Sequence, residues 1–196
     1  MAAGAADTRM ANFTALTAQW PDVALREIER LGDPAAIADW LNRIAAVDWS
    51  RLHSPLTALR DRQVHPLDSG LLAAAALRRL GYRPTILALG SPQLTWTAAM
   101  YCGNNHGGWV AWHPDPQLQF CRLPTRSLRS LVAKLHASAA LLHARAAIPS
   151  AASSQRVCDL SQFDAHDWMT DDAGAEFALE AALANLPSEL GNQDVW

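Results

Sequence analysis

Asp68 and Ser69 stand directly ahead of the stretch GLLAAAALRRL at residues 70–80, the best place in this chain for chemistry. A serine at a helix start can serve as a nucleophile, with the free N–H groups of the first turn as an oxyanion site. The same two residue types are the preferred helix N-caps, and no histidine–carboxylate pair accompanies Ser69, so a cap is the expectation. Cys102 and His106 lie close together in CGNNHGG and could act as thiolate and base. A hairpin tip supplies no helix dipole to activate a thiol, so Cys102 reads as a buried strand cysteine. His65, His106 and His113 would have to converge to hold a metal, and their spacing matches no ligand pattern. Neither a metal nor a cofactor is expected.

Hydrophobic period and turn residues supply the elements that must carry these side chains. VALREIERLG has apolar residues at Val23, Leu25, Ile28 and Leu31, and AAIADWLNRIAAV has Ile37, Trp40, Leu41 and Ile44 on one face. Together they predict a helical hairpin over 21–47, followed by a looser stretch over 48–65. The central helix at 70–80 ends at Gly81, a residue type suited to a helix stop. PTILALG, TWTAAMYC, WVAW and QLQFCRL then read as strands of an antiparallel meander, broken by CGNNHGG and Pro114-Asp115-Pro116. A long helix over 124–145, a small-residue linker over 146–155, an edge strand over 156–163 and a final helix over 173–186 follow. The first twelve residues and the tail 187–196 read as unstructured, with Trp196 free to dock. The fold class is α+β, one domain over 13–186 with its core at 65–145 and a C-terminal extension at 156–186.

Composition bounds the function. A chain of 196 residues has room for one full core. Half of it is hydrophobic and 18% charged, with a net charge of -3, which disfavours nucleic acid as a partner. Arg78, Arg79 and Arg83 make a local basic cluster that reads as a solvated helix end. Lys134 is the only lysine. Cys102, Cys121 and Cys158 are far apart and odd in number, which suits a reducing cytoplasm better than a disulfide framework. MAAGAADTRMANF lacks the build of a signal peptide, and no window has the apolar length of a membrane span, so no membrane role is expected.

Four patches in order, GLLAAAALRRLGYRPTILAL (70–89), GGWVAW (107–112), RSLRSLV (126–132) and DLSQFDAHDWMTDD (159–172), resemble bacterial transglutaminase-like proteins of the papain-like cysteine hydrolase superfamily. The resemblance covers roughly 65–185 and implies a transglutaminase-like core, a central helix followed by a meander sheet. In that family a cysteine opens the helix, a histidine opens the second strand and an aspartate follows a tryptophan-led strand. The matching positions here hold Leu67 (Pro66 if the spacing slips by one), Thr97 and His113, and no cysteine lies between residues 60 and 75. The resemblance therefore implies the scaffold without its chemistry: a binding or accessory subunit for a partner protein, in a hetero-complex or a homo-oligomer. One alternative is a hydrolase or acyl transferase whose nucleophile has moved to Ser69 or Cys102, with His106 or His113 as base. Another is a small-molecule-binding protein using a remnant cleft of Asp68, Ser69, Thr97 and His113. Trp96, Trp109 and Trp112 cluster on the meander as a candidate contact surface.

Overall fold

The computed structural model describes residues 12–46, 52–91, 94–145 and 154–184. Helix α1 spans residues 12–16, followed by α2 (Asp22–Arg30) and α3 (Pro34–Leu41). Next come the short strand β1 (Ala45–Ala46), α4 (Pro55–Asp61), β2 (Gln63–Val64) and α5 (Ser69–Arg79). Strands β3 (Thr85–Ser91), β4 (Leu94–Cys102) and β5 (Gly107–Val110) form the meander. The short helix α6 (Pro116–Gln119) leads into β6 (Phe120–Leu123), and α7 (Leu128–Arg145) follows. Strand β7 (Ser154–Asp159), a 3-10 segment (Leu160–His166) and α8 (Asp172–Ala184) complete the described chain.

The main sheet has the order β6-β5-β4-β3-β7, with every neighbouring pair antiparallel; β1 and β2 form a separate parallel pair. The mixed helix and sheet composition is α+β. Helices cover both faces of the sheet. On one face α2, α3, α4, α5 and α8 build a core with Ile86, Ala99, Val110 and Cys158. On the other, α7 supplies Leu131, Val132 and Leu135 against Leu87, Leu89, Trp96, Ala98 and Trp109. Strand β3 is buried on both sides, which is why TILAL reads as a continuous apolar run rather than an alternation. Among the described residues, no helix is long and apolar enough to cross a membrane.

Helix α5 is the axis of the larger core. Every residue from Ser69 to Arg78 is buried, so the helix has no solvent face along that length. Its small side chains let it lie close to β4. A β-carbon at Gly70 would collide with the Thr97 hydroxyl, so glycine is required at that contact. The helix stops where Gly81 turns to a φ of 85°, a left-handed conformation natural to glycine. Arg78 is 1% exposed, not solvated as its place in a basic cluster suggests. Its guanidinium grips Asp164 in a two-pronged ion pair, with Nη1 and Nη2 at 2.6 and 2.7 Å from the carboxylate oxygens. The aspartate also accepts the indole N–H of buried Trp168 at 3.1 Å.

Several boundaries differ from the sequence reading for local reasons. The loose stretch at 48–65 contains α4, where Ser54 accepts the Thr57 N–H and Pro55 occupies the first helical position. QLQFCRL divides, because Asp115 accepts the Gln117 N–H and Pro116 starts a turn of helix, leaving the strand to Phe120–Leu123. The third meander strand begins at Gly107 and ends at Val110, two residues earlier than WVAW. Helix α7 starts at Leu128 rather than Pro124, with the Ser127 hydroxyl accepting the Ser130 N–H. Strand β7 begins at Ser154, inside the expected linker, and gives way to 3-10 turns after Asp159. Ile37, Trp40, Leu41 and Ile44 are all buried, whereas Val23 and Leu141 point outward at 66% and 63% exposure. The N-terminal residues 1–11, linker residues 146–153, the last two residues of the expected final helix and the tail with Trp196 lie outside the described residues.

Candidate functional site

The start of α5 is assembled by backbone groups rather than by a side-chain cap. Asp68 holds the N-cap position, yet its carboxylate makes no hydrogen bond to the helix. It reaches backward instead: Oδ1 accepts the His65 N–H at 2.7 Å and Oδ2 the His53 N–H at 2.9 Å. Ser69 is fully buried, and its hydroxyl donates to the Pro66 carbonyl at 3.1 Å and accepts the Trp112 N–H at 3.4 Å. A hydroxyl so enclosed is a strut joining two segments. Thr97 fastens the same turn to β4: its hydroxyl donates to the Leu67 carbonyl at 2.6 Å and its N–H to the Pro66 carbonyl at 3.1 Å.

Leu67 and Thr97 therefore meet, while His113 goes elsewhere. Its ring packs against Trp96, with centroids 4.9 Å apart, and its Nδ1 accepts the Asp115 N–H at 3.0 Å. Trp96 belongs to the core on the sheet face away from α5. Asp68, Ser69, Thr97 and His113 consequently do not line one cleft, because Ser69 and Thr97 are closed off by packing and His113 sits with Trp96. Nor do the tryptophans make a surface. Trp96 and Trp109 are 2% and 1% exposed, Trp109 donates to the Leu118 carbonyl, and Trp112 is half-buried against the first core.

Cys102 ends β4 and is exposed rather than buried as expected, and the partial desolvation it does undergo pushes its thiol pKa up, away from the thiolate. His106 sits edge-on to Tyr101 at 6.3 Å. His65 is buried, its Nδ1 accepts the Leu67 N–H at 3.1 Å, and burial followed by the nearby His53 lowers its pKa. Among the described residues, no three His, Cys, Asp or Glu side chains are placed to hold a metal ion.

The open site lies behind Asp68. A cleft of about 380 Å³ is lined by His53, Thr57, Arg60, Asp61, Thr170, Asp171, Asp172 and Ala173. The His53 ring stands between this cleft and the buried carboxylate, with Nδ1 3.6 Å from Asp68 Oδ2. Burial, against the two backbone hydrogen bonds that oppose it, pushes the Asp68 pKa up to about 7, and the neighbouring Asp172 adds to the rise. Arg60 is turned onto Asp61, with contacts of 2.7 and 3.0 Å. Asp172 accepts the Ser54 N–H and Asp171 the Gly174 N–H, which joins α8 to the segment before α4. The Thr170 hydroxyl accepts the Trp20 indole N–H. This arrangement can exchange a proton near neutrality and hold a polar solute.

His53 and Asp172 escaped the sequence reading because they reach Asp68 only through tertiary contact: Ser54 and Asp172 are 118 positions apart. Asp68 carried the one available signal, a carboxylate ahead of an apolar helix, but the signal pointed to a cap. No protein-family model matches this chain, and no curated protein matches it.

Proposed function

We propose that this chain is a non-catalytic domain of transglutaminase-like form, acting as a binding or accessory subunit for a partner protein. The observation that carries this reading is the Thr97–Leu67 contact. Where the resemblance puts histidine and cysteine, a hydroxyl donates to a main-chain carbonyl at 2.6 Å and locks the helix to the sheet. Neither residue can supply an activated nucleophile or a base. The buried Ser69 hydroxyl and the raised thiol pKa of Cys102 speak against a relocated nucleophile. Three unpaired thiols suit a reducing compartment, and we assign the protein to the cytoplasm on that ground.

Fluorophosphonate and iodoacetamide probes test the absence of catalysis. Rapid stoichiometric labelling, lost on Ser69→Ala or Cys102→Ala, overturns the reading. Purified protein that stays an inert monomer with every candidate partner overturns the binding role. A second reading, small-molecule binding, is favoured by the polar cleft beside His53. A ligand-dependent rise in melting temperature, lost on Asp172→Asn, distinguishes it.

A further inference from the structure

Charge is sorted along this chain in a way that the net value of -3 conceals. From Pro116 to Cys158 the sequence holds Arg122, Arg126, Arg129, Lys134, Arg145 and Arg156 and no aspartate or glutamate. From Asp159 onward it reverses, with aspartates and glutamates but no lysine or arginine. The fold then sets the two signs apart, because α7 and α8 pack on opposite faces of the sheet. We propose that the outward face of α7 docks on the outward face of α8 of a second copy of this chain, so that copies associate head to tail. A second copy is thereby the partner in the binding role proposed above, on which this docking rests.

Both faces are open. Helical spacing puts Arg129 and Lys134 at the two margins of the exposed side of α7, with Ala133, Ala137, Ala140 and the exposed Leu141 between them. On α8 the exposed side carries Glu176 and Glu180, one turn apart, beside Ala173 and Phe177, which is 46% exposed. Phe177 packs on His166 at 4.3 Å and meets Phe163 edge-on at 6.1 Å, making an aromatic shelf next to the carboxylates. Among the described residues, none of Arg129, Lys134, Glu176 and Glu180 is held in an ion pair. Like charges at i and i+4 repel, and α8 has no base of its own to relieve Glu176 and Glu180. The α7 face supplies what α8 lacks: two cations for the carboxylates, and an apolar centre of alanines and Leu141 for the Phe177 ring. Two cations at the margins of an apolar strip suit such a helix better than a phosphate backbone, which needs concentrated basic charge. Because the two faces lie on opposite sides of one molecule, two copies cannot make both contacts at once. Each pairing leaves a basic face at one end and an acidic face at the other, so growth does not stop at a dimer.

Analytical ultracentrifugation of the full chain tests this. At about 20 mM salt, where the Debye length is about 20 Å, the weight-average mass should rise continuously with concentration, past about twice the monomer's 21.3 kDa. At about 0.5 M salt, where charge is screened within about 4 Å, it should return to the monomer value. Arg129→Glu with Lys134→Glu should abolish the rise, and so should Glu176→Lys with Glu180→Lys. All four positions are exposed, so neither change touches the core. Mixing the two double variants should restore the rise, because the acidified α7 of one then meets the basic α8 of the other. The proposal is overturned if the chain keeps the monomer mass at low salt, if either double variant associates like the parent, or if the mixture stays monomeric. A monomer that instead binds heparin or phosphatidylserine vesicles through Arg129 and Lys134 serves a polyanion and overturns it equally. Probe labelling at Ser69 or Cys102 is independent of these outcomes and decides the non-catalytic reading separately.

Discussion

Arg78 and Asp164, 86 positions apart, meet in a two-pronged ion pair that fastens the end of α5 to the 3-10 segment after β7. The arginine side chain is 2% exposed and the aspartate 29%, so the two partners are unequal. Removing the carboxylate strands a buried guanidinium, whose Nε already lacks a hydrogen bond. Asp164→Ala should therefore destabilise the fold by about 3 kcal/mol, the usual cost of leaving one member of a buried pair alone. Arg78→Met leaves an aspartate that water can still reach, and should cost less. Urea denaturation of both variants checks the order.

Gly70→Ala should be costly although alanine is the better helix former. The added methyl meets the Thr97 hydroxyl and β-carbon, and overpacking of this kind costs about 1–3 kcal/mol. In a Thr97→Ala background the nearest obstructing atom is gone, so the added cost of Gly70→Ala should shrink. A double-mutant cycle on denaturation midpoints measures the coupling.

Stability should fall as pH rises through the acid range. Asp68 has its folded pKa raised from 3.8 to about 7, with burial the first cause. The folded state then binds more protons than the unfolded state between these values, so unfolding free energy declines with pH across about 4 to 7 and levels above. Paired carboxylates such as Glu27, lowered chiefly by the Trp40 indole N–H and by nearby arginines, contribute the opposite slope at lower pH. Asp68→Asn should flatten the decline, read as the difference in melting temperature between pH 5 and pH 8.

Cys102 should react with iodoacetamide more slowly than a free thiol at neutral pH. It is open to solvent, but desolvation holds its pKa above the ordinary 9.0 and keeps the thiolate scarce. The rate, followed by mass spectrometry, should climb only in alkaline buffer.

Much of the fold was legible in the residues. Helix α5 and the order of the meander follow from apolar runs and glycine stops, since strand period and helix period are local properties. Pro55 and Ser54 did announce α4, but a seven-residue helix in a polar stretch gives too little periodicity to stand out. The site was less legible. Asp68 has the residue type and the place of an N-cap, but the His65 and His53 amides take its carboxylate away from the helix. The Trp96–His113 contact depends on which face of β4 Trp96 takes and on where the segment after β5 carries His113, and a resemblance read position by position does not carry that.

Helix α5 also limits how this protein can change. Its middle is alanine and leucine, with Ala73 to Ala76 all at 0% exposure between the sheet and the other helices. The separation of these layers is therefore fixed by methyl groups rather than by large interlocking side chains. A bigger residue at any of the four positions must wedge the layers apart along the length of the helix, because no solvent face can absorb the volume. The helix works as a spacer of set thickness, and added volume fits only on the outward sides of its neighbours.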